Sequence, residues 1–133
     1  MKASTIQKNL AALLTGVSLL TLSACASAPM GTPSIKSAMQ QMKNTHQAAM
    51  NSDNLADFKM HVAGFKKGTH DAALNRYRGT DAEQAMYAEG MKKLDAGLML
   101  VEQNIASGNL TAAKAELNSL LEIRNQYHKV LKK

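Results

Sequence analysis

Two side chains that can ligate a haem iron stand far apart in this chain of 133 residues: Met39 and His128. A methionine sulfur and a histidine nitrogen are one of the known pairs of axial haem ligands. Met39 lies near the start of the first predicted helix, and His128 lies near the end of the last. If four helices run alternately up and down, these two places share one end of the bundle. With a rise of about 1.5 Å per residue, both residues then lie roughly 8 Å from that end and can face one iron from its two sides.

Each of the two residues also has an ordinary structural explanation. A methionine in a helical apolar stripe usually fills core space, and the chain has nine methionines. A histidine near the C-terminus of a helix interacts favourably with the helix dipole. The pair is therefore informative only if the rest of the chain forms the bundle that brings the two residues together.

Four segments after Pro33 have the three- and four-residue spacing of amphipathic helices, and none of them contains a proline. Their stripes are Ile35, Met39, Met42, His46 and Ala49; Leu55, Phe58, Val62, Phe65, Thr69 and Ala72; Tyr87, Met91, Leu94, Leu98, Val101 and Ile105; and Leu110, Ala113, Leu117, Leu120, Arg124, Tyr127 and Leu131, flanked by Leu121 and His128. Short connections place consecutive helices antiparallel. The sequence thus predicts an all-α fold, an up-down-up-down antiparallel four-helix bundle over residues 33–133.

Capping signals mark the predicted helix ends. Pro33 suits the first position of a helix, where its missing N–H group costs nothing. Asp53-Asn54 separates the first two helices, and the basic sequence Arg76-Tyr77-Arg78-Gly79 connects the second to the third. Thr80 and Glu83 then form a capping box. The third helix stops at Ser107-Gly108-Asn109, with glycine for the C-cap and asparagine for the next N-cap.

Residues 1–24 have the pattern of a lipoprotein signal peptide. A basic start is followed by the apolar residues 10–22, a run shorter than the roughly 20 residues that span a bilayer. Leu22-Ser23-Ala24-Cys25 reads as a lipobox, so we expect cleavage before Cys25, lipidation of Cys25 and a tether over residues 25–32. An aspartate after the cysteine would favour retention in the inner membrane. Ala26 at this position therefore points to the outer membrane, by analogy with enteric bacteria. The alternative is an ordinary signal peptide with a chance cysteine.

The cysteine content and the charge restrict the possible partners. Cys25 is the single cysteine, so no disulfide forms within one chain and no Cys-x-x-Cys-His site exists for covalent haem. Removal of Lys2 and Lys8 lowers the formal net charge from +6 to +4. That mild excess suits anionic partners or a lipid surface but does not indicate nucleic acid. We expect a membrane-anchored monomer.

The sequence Arg124-Asn125-Gln126-Tyr127-His128 resembles the terminal Arg-Asn-x-Tyr-His motif of the cytochrome b562 family, the periplasmic four-helix b-type cytochromes. The resemblance extends from about Pro33 to the end of the chain, and the first helix aligns without a gap through Met39 and the Asp53-Asn54 turn. Between the second and third helices this chain is several residues shorter.

The resemblance implies roles for five side chains. Met39 and His128 match the axial ligands of the family, and Arg124 matches an arginine beside the haem edge that can face a propionate. The family has two phenylalanines against the porphyrin where this chain has Tyr87 and Met91, so one aromatic face is lost.

A haem b that is held without a covalent bond and ligated on both faces leaves no place for dioxygen or substrate. The expected function is therefore one-electron transfer in the periplasm with a redox protein partner. The sequence contains no arrangement of a nucleophile and a base that would indicate an enzyme.

Three alternatives stay open. His70 lies near the same end and could replace Met39. His46 and His61 flank the Asp53-Asn54 turn, either as a weak metal site or, as the simpler explanation, as polar groups of the core or surface. Finally, the chain could be a haem-free periplasmic helical lipoprotein that binds an envelope protein. That function predicts a closed apolar seam with no cavity between Met39 and His128.

Overall fold

The computed structural model describes residue 31 and residues 33–131. They form four helices: α1 (Ile35–Met50), α2 (Leu55–Ala73), α3 (Asp81–Ala106) and α4 (Leu110–Leu131). α1 packs closely on α2 and α3 on α4, while α2 also meets α3 and α4 packs lightly on α1. The predicted all-α four-helix bundle is confirmed, and residues 33–131 contain no strand. The predicted signal peptide and Cys25 lie outside the described residues.

Most predicted caps are present. The Asn54 side chain accepts a hydrogen bond from the Asp57 N–H group at the start of α2, and Thr80 and Glu83 complete the capping box of α3. Gly108 has a φ of +73°, the left-handed conformation that favours glycine after a helix. The prediction for Pro33 is wrong. α1 begins at Ile35, two residues after Pro33, with Ser34 as its N-cap, because the Ser34 hydroxyl accepts a hydrogen bond from the Ser37 N–H group.

The core cluster lies within residues 38–120 and consists largely of the predicted stripes. All six stripe residues of α3 are buried. On α4 the buried residues are Ala113, Leu117 and Leu120, and no residue from Arg124 to the described end of the helix is buried. The bundle is therefore tightly filled at the end near the α1–α2 turn and incompletely filled at the opposite end, where α1 begins and α4 ends.

None of the described helices is long and apolar enough to span a bilayer.

Candidate functional site

A cavity of about 700 Å³ occupies the incompletely filled end of the bundle, between α1, α3 and α4. Sites for small molecules and cofactors usually measure about 300–1,000 Å³. All five side chains that the sequence nominated line this one cavity: Met39, Tyr87, Met91, Arg124 and His128. The closed seam expected of a haem-free lipoprotein is absent from this part of the molecule.

Met39 and His128 reach the cavity from α1 and α4. Met39 is half-buried. His128 is exposed, and it interacts with another group of the structure. The antiparallel course of the helices brings these residues from opposite ends of the described chain to one cavity. A thioether and an imidazole thus face the same space from two helices.

Tyr127 sets the orientation of α4 beside His128. Its ring packs on Gly90, where an added Cβ atom would lie 2.9 Å from the ring carbon Cγ. The Tyr127 hydroxyl donates a hydrogen bond to Glu89 Oε1 at 2.9 Å, and Lys93 Nζ lies 5.2 Å from the ring centroid. Hydrogen bonds from Lys93 and Tyr127 lower the pKa of Glu89. These contacts join α4 to α3 one residue away from His128, and they limit rotation of the helix that carries it.

The α3 wall of the cavity is made by Tyr87 and Met91, which are 4% and 8% exposed. The Tyr87 hydroxyl donates a 2.5 Å hydrogen bond to the backbone carbonyl of Ala72 on α2. Burial raises the pKa of Tyr87 to about 12. The phenol therefore stays neutral at ordinary pH and holds its ring in a fixed place against the cavity.

Tyr77 is a cavity residue that the sequence analysis missed, because it took this connection only as a basic loop. Its ring stacks on Tyr87, with centroids 5.5 Å apart and planes 25° apart. Its hydroxyl donates to the carbonyl of Leu131 at 2.5 Å, and its N–H group donates to Gln84 Oε1 at 2.6 Å. The α2–α3 connection is thereby joined to the end of α4. The available signal was an aromatic residue inside an otherwise polar connection.

The charge at the cavity is entirely positive. Lys36, Lys43 and Arg124 line it, whereas none of the ten aspartate and glutamate side chains of the protein does so. Arg124 Nη2 donates to Asn125 Oδ1 at 2.8 Å. The lining therefore combines an apolar wall with cations that suit carboxylate groups.

His70 is not brought to this cavity. It lies exposed in a second groove between α2 and α3, and Tyr87 and Met91 line both spaces and separate them. The alternative in which His70 replaces Met39 thus lacks the required position. The sequence placed His70 at the correct end of the bundle but could not tell on which side of the Tyr87–Met91 wall it lies.

His46 belongs to the core. It is 8% exposed, its ring centroid lies 6.4 Å from that of Phe65, and within the described part of the chain its Nε2 atom has no hydrogen-bond partner. Burial, and secondly the positive charge of Arg124, lowers the pKa of His46. No hydrogen bond or ring contact joins it to His61, and no group of three metal-binding side chains occurs among the residues described. The interpretation of His46 as a polar core residue fits this placement.

A four-helix bundle with a lined cavity at one end, and with a methionine and a histidine entering it from its first and last helices, has the form of a cofactor-binding bundle. The chain belongs to the cytochrome b562 family, whose model matches residues 34–132. This is a family of haem-binding electron carriers rather than enzymes. The chain is also 30% identical over 100 residues to the uncharacterized protein PM0670 of Pasteurella multocida, a match that covers 74% of this chain and 81% of the relative.

Proposed function

We propose that this protein holds haem b non-covalently in the end cavity, with Met39 and His128 as the two axial ligands, and that it transfers single electrons. The observation that carries the proposal is the convergence of both side chains on one cavity. Haem bound there would supply a one-electron change between ferric and ferrous iron, and a methionine sulfur favours the ferrous form. With both axial positions taken by the protein, no site is left for dioxygen or a substrate.

The residues around the cavity fit such a group. Tyr87, Met91 and Leu94 give an apolar wall that excludes water. Arg124 supplies positive charge for a carboxylate of the porphyrin. Cys25 is the single cysteine of the chain, so no pair of thiols is available for covalent attachment.

Met91 stands where the family has a phenylalanine, but the cavity still has a second aromatic ring. Tyr77, stacked on Tyr87, also lines it. The flexible thioether of Met91 packs well against aromatic surfaces. We infer that Tyr77 and Met91 together take the place of the second phenylalanine of the family.

We also propose that the protein acts in the periplasm from a lipid on Cys25, in the outer membrane. What supports this is the lipobox and the apolar run before it. Residues 25–32 would reach at most about 28 Å. Because α1 starts at the cavity end, the tether would keep the cavity close to the membrane and to membrane-bound redox partners.

The test is the visible spectrum of residues 26–133 after addition of haem, oxidised and then reduced. A sharp low-spin α band on reduction that is lost in Met39→Ala and in His128→Ala would support the proposal. Met60→Ala and His70→Ala are matched controls, because both side chains are exposed and neither lines the cavity. Failure to retain one haem per chain would overturn the proposal and favour the haem-free lipoprotein.

A further inference from the structure

The two lysines of the cavity lie along one edge of it, on the flank of the bundle formed by α1. Lys36, Gln40 and Lys43 follow the four- and three-residue spacing of a single helix face, and all three are exposed. Arg124 lies across the cavity on α4. α1 has no acidic residue over its whole length. We call the surface made by Lys36, Lys43 and Arg124 the cationic rim.

Lys36 and Lys43 belong to the lysines of residues 33–131 that no carboxylate neutralises, whereas three other lysines of this range form ion pairs. Lys66 pairs with Glu102, Lys67 with Asp71, and Lys93 with Glu89. For Lys36 and Lys43, residues 33–131 provide no ion pair. Their charge is thus directed to solvent beside the cavity.

We infer that the cationic rim is the docking surface for an acidic redox protein. The inference rests on the proposed function, since a surface beside the haem edge is where an electron would leave or enter. Uncompensated charge of one sign around such a site steers a partner of opposite charge and raises its association rate. The overall charge of the protein is only mildly positive, so it is the local asymmetry that selects an acidic partner.

The direction of the rim favours a protein over a lipid surface. Lys36 and Lys43 are seven residues apart, about 10 Å along the helix axis. The positive charge therefore runs along the side of the bundle. A membrane reached through a tether at the start of α1 would instead meet the end of the bundle, where the α2–α3 connection lies.

The experiment is an amide NMR titration of residues 26–133, whose core cluster is contained within residues 38–120. The probe is tris(oxalato)chromate(III), a trivalent paramagnetic anion that does not exchange electrons under these conditions. We expect broadening confined to amides at residues 36–43 and 124–128, in the haem-free and in the reduced haem-loaded protein. We also expect about a threefold weaker association of the anion for each lysine replaced in Lys36→Gln/Lys43→Gln.

The matched control is Lys59→Gln/Lys92→Gln, which removes the same net charge from exposed positions that do not line the cavity. It should leave the broadening unchanged. Broadening centred elsewhere, or equal loss in both double variants, would overturn the inference. So would broadening that disappears when haem is loaded, because the lysines would then serve the haem's own carboxylates.

A second experiment distinguishes an acidic protein from an anionic lipid surface as the partner. Binding to vesicles of phosphatidylcholine and phosphatidylglycerol in a ratio of 3:1 that depends on Lys36 and Lys43 would also overturn the inference, since the rim would then be a membrane surface. Haem retention is read from the spectrum before either experiment. A chain that fails to take up haem but shows the expected broadening contradicts the proposed function and leaves the cationic rim supported as a docking surface for an anionic partner.

Discussion

His46 offers a sharp test of how the core tolerates a polar group below the cavity. Its Nε2 atom is buried and lacks a hydrogen-bond partner among the described residues. A buried polar group that stays unsatisfied costs about 1–3 kcal/mol. Leucine has a similar size and no polar atom. We therefore expect His46→Leu to raise the free energy of unfolding by about 1 kcal/mol at pH 8, where the histidine is neutral in both states.

The gain should increase at acid pH. Because the folded state holds the pKa of His46 below its ordinary value of 6.5, the unfolded chain binds the proton more readily. Wild-type stability is then fully present above pH 6.5 and falls as pH drops from 6.5 toward the folded pKa. At pH 5 this loss amounts to at most about 2 kcal/mol, the product of 1.36 kcal/mol per pH unit and the interval below 6.5. Burial is the main cause of this lowered pKa, and the positive charge of Arg124 adds to it.

The assay is urea unfolding of the haem-free protein followed by circular dichroism at pH 8, 6.5 and 5. His70→Leu is the control, because that histidine is exposed and should change the free energy of unfolding little at any of these pH values. A His46→Leu variant that is less stable than the wild type at pH 8 would show that Nε2 is satisfied. An unchanged difference between pH 8 and pH 5 would refute the effect of burial on its pKa.

Two further substitutions probe the contacts that shape the cavity and the core. Tyr77→Phe removes the hydrogen bond to the Leu131 carbonyl but keeps the ring. We therefore expect the free energy of unfolding in urea to fall by about 0.5–1.5 kcal/mol, and haem to transfer faster to excess apomyoglobin. Equal transfer rates in the wild type and the variant would show that Tyr77 does not help to hold α4. Gly97→Ala would put a Cβ atom in conflict with the buried Leu120 side chain, and such overpacking costs about 1–3 kcal/mol in the free energy of unfolding. Neutral behaviour of Gly97→Ala by thermal unfolding would mean that Leu120 can move aside.

The sequence by itself determined the helices and most of their ends. Helical spacing is local, so it names the residues that share a face, and the capping box at Thr80 and the glycine at Gly108 need only their own neighbours. The antiparallel order followed from short connections. These two facts were enough to place Met39 and His128 at one end of the molecule. The first helix start was placed two residues too early, because a proline suits the first helical position and marks a start as well as a serine N-cap does. The hydrogen bond that Ser34 accepts from Ser37 makes Ser34 the cap.

Only the tertiary structure decided where space remains between the helices. Whether an end of the bundle closes or opens depends on side-chain volumes that four separate helices bring to one level, and no periodicity within one helix contains that information. The same reason explains why Tyr77, in a connection, became part of the cavity wall, and why His70, at the right end, lies on the other side of it. Burial of His46 also depends on its neighbours from other helices, since residues such as Phe65 on α2 close around it only after the bundle has packed.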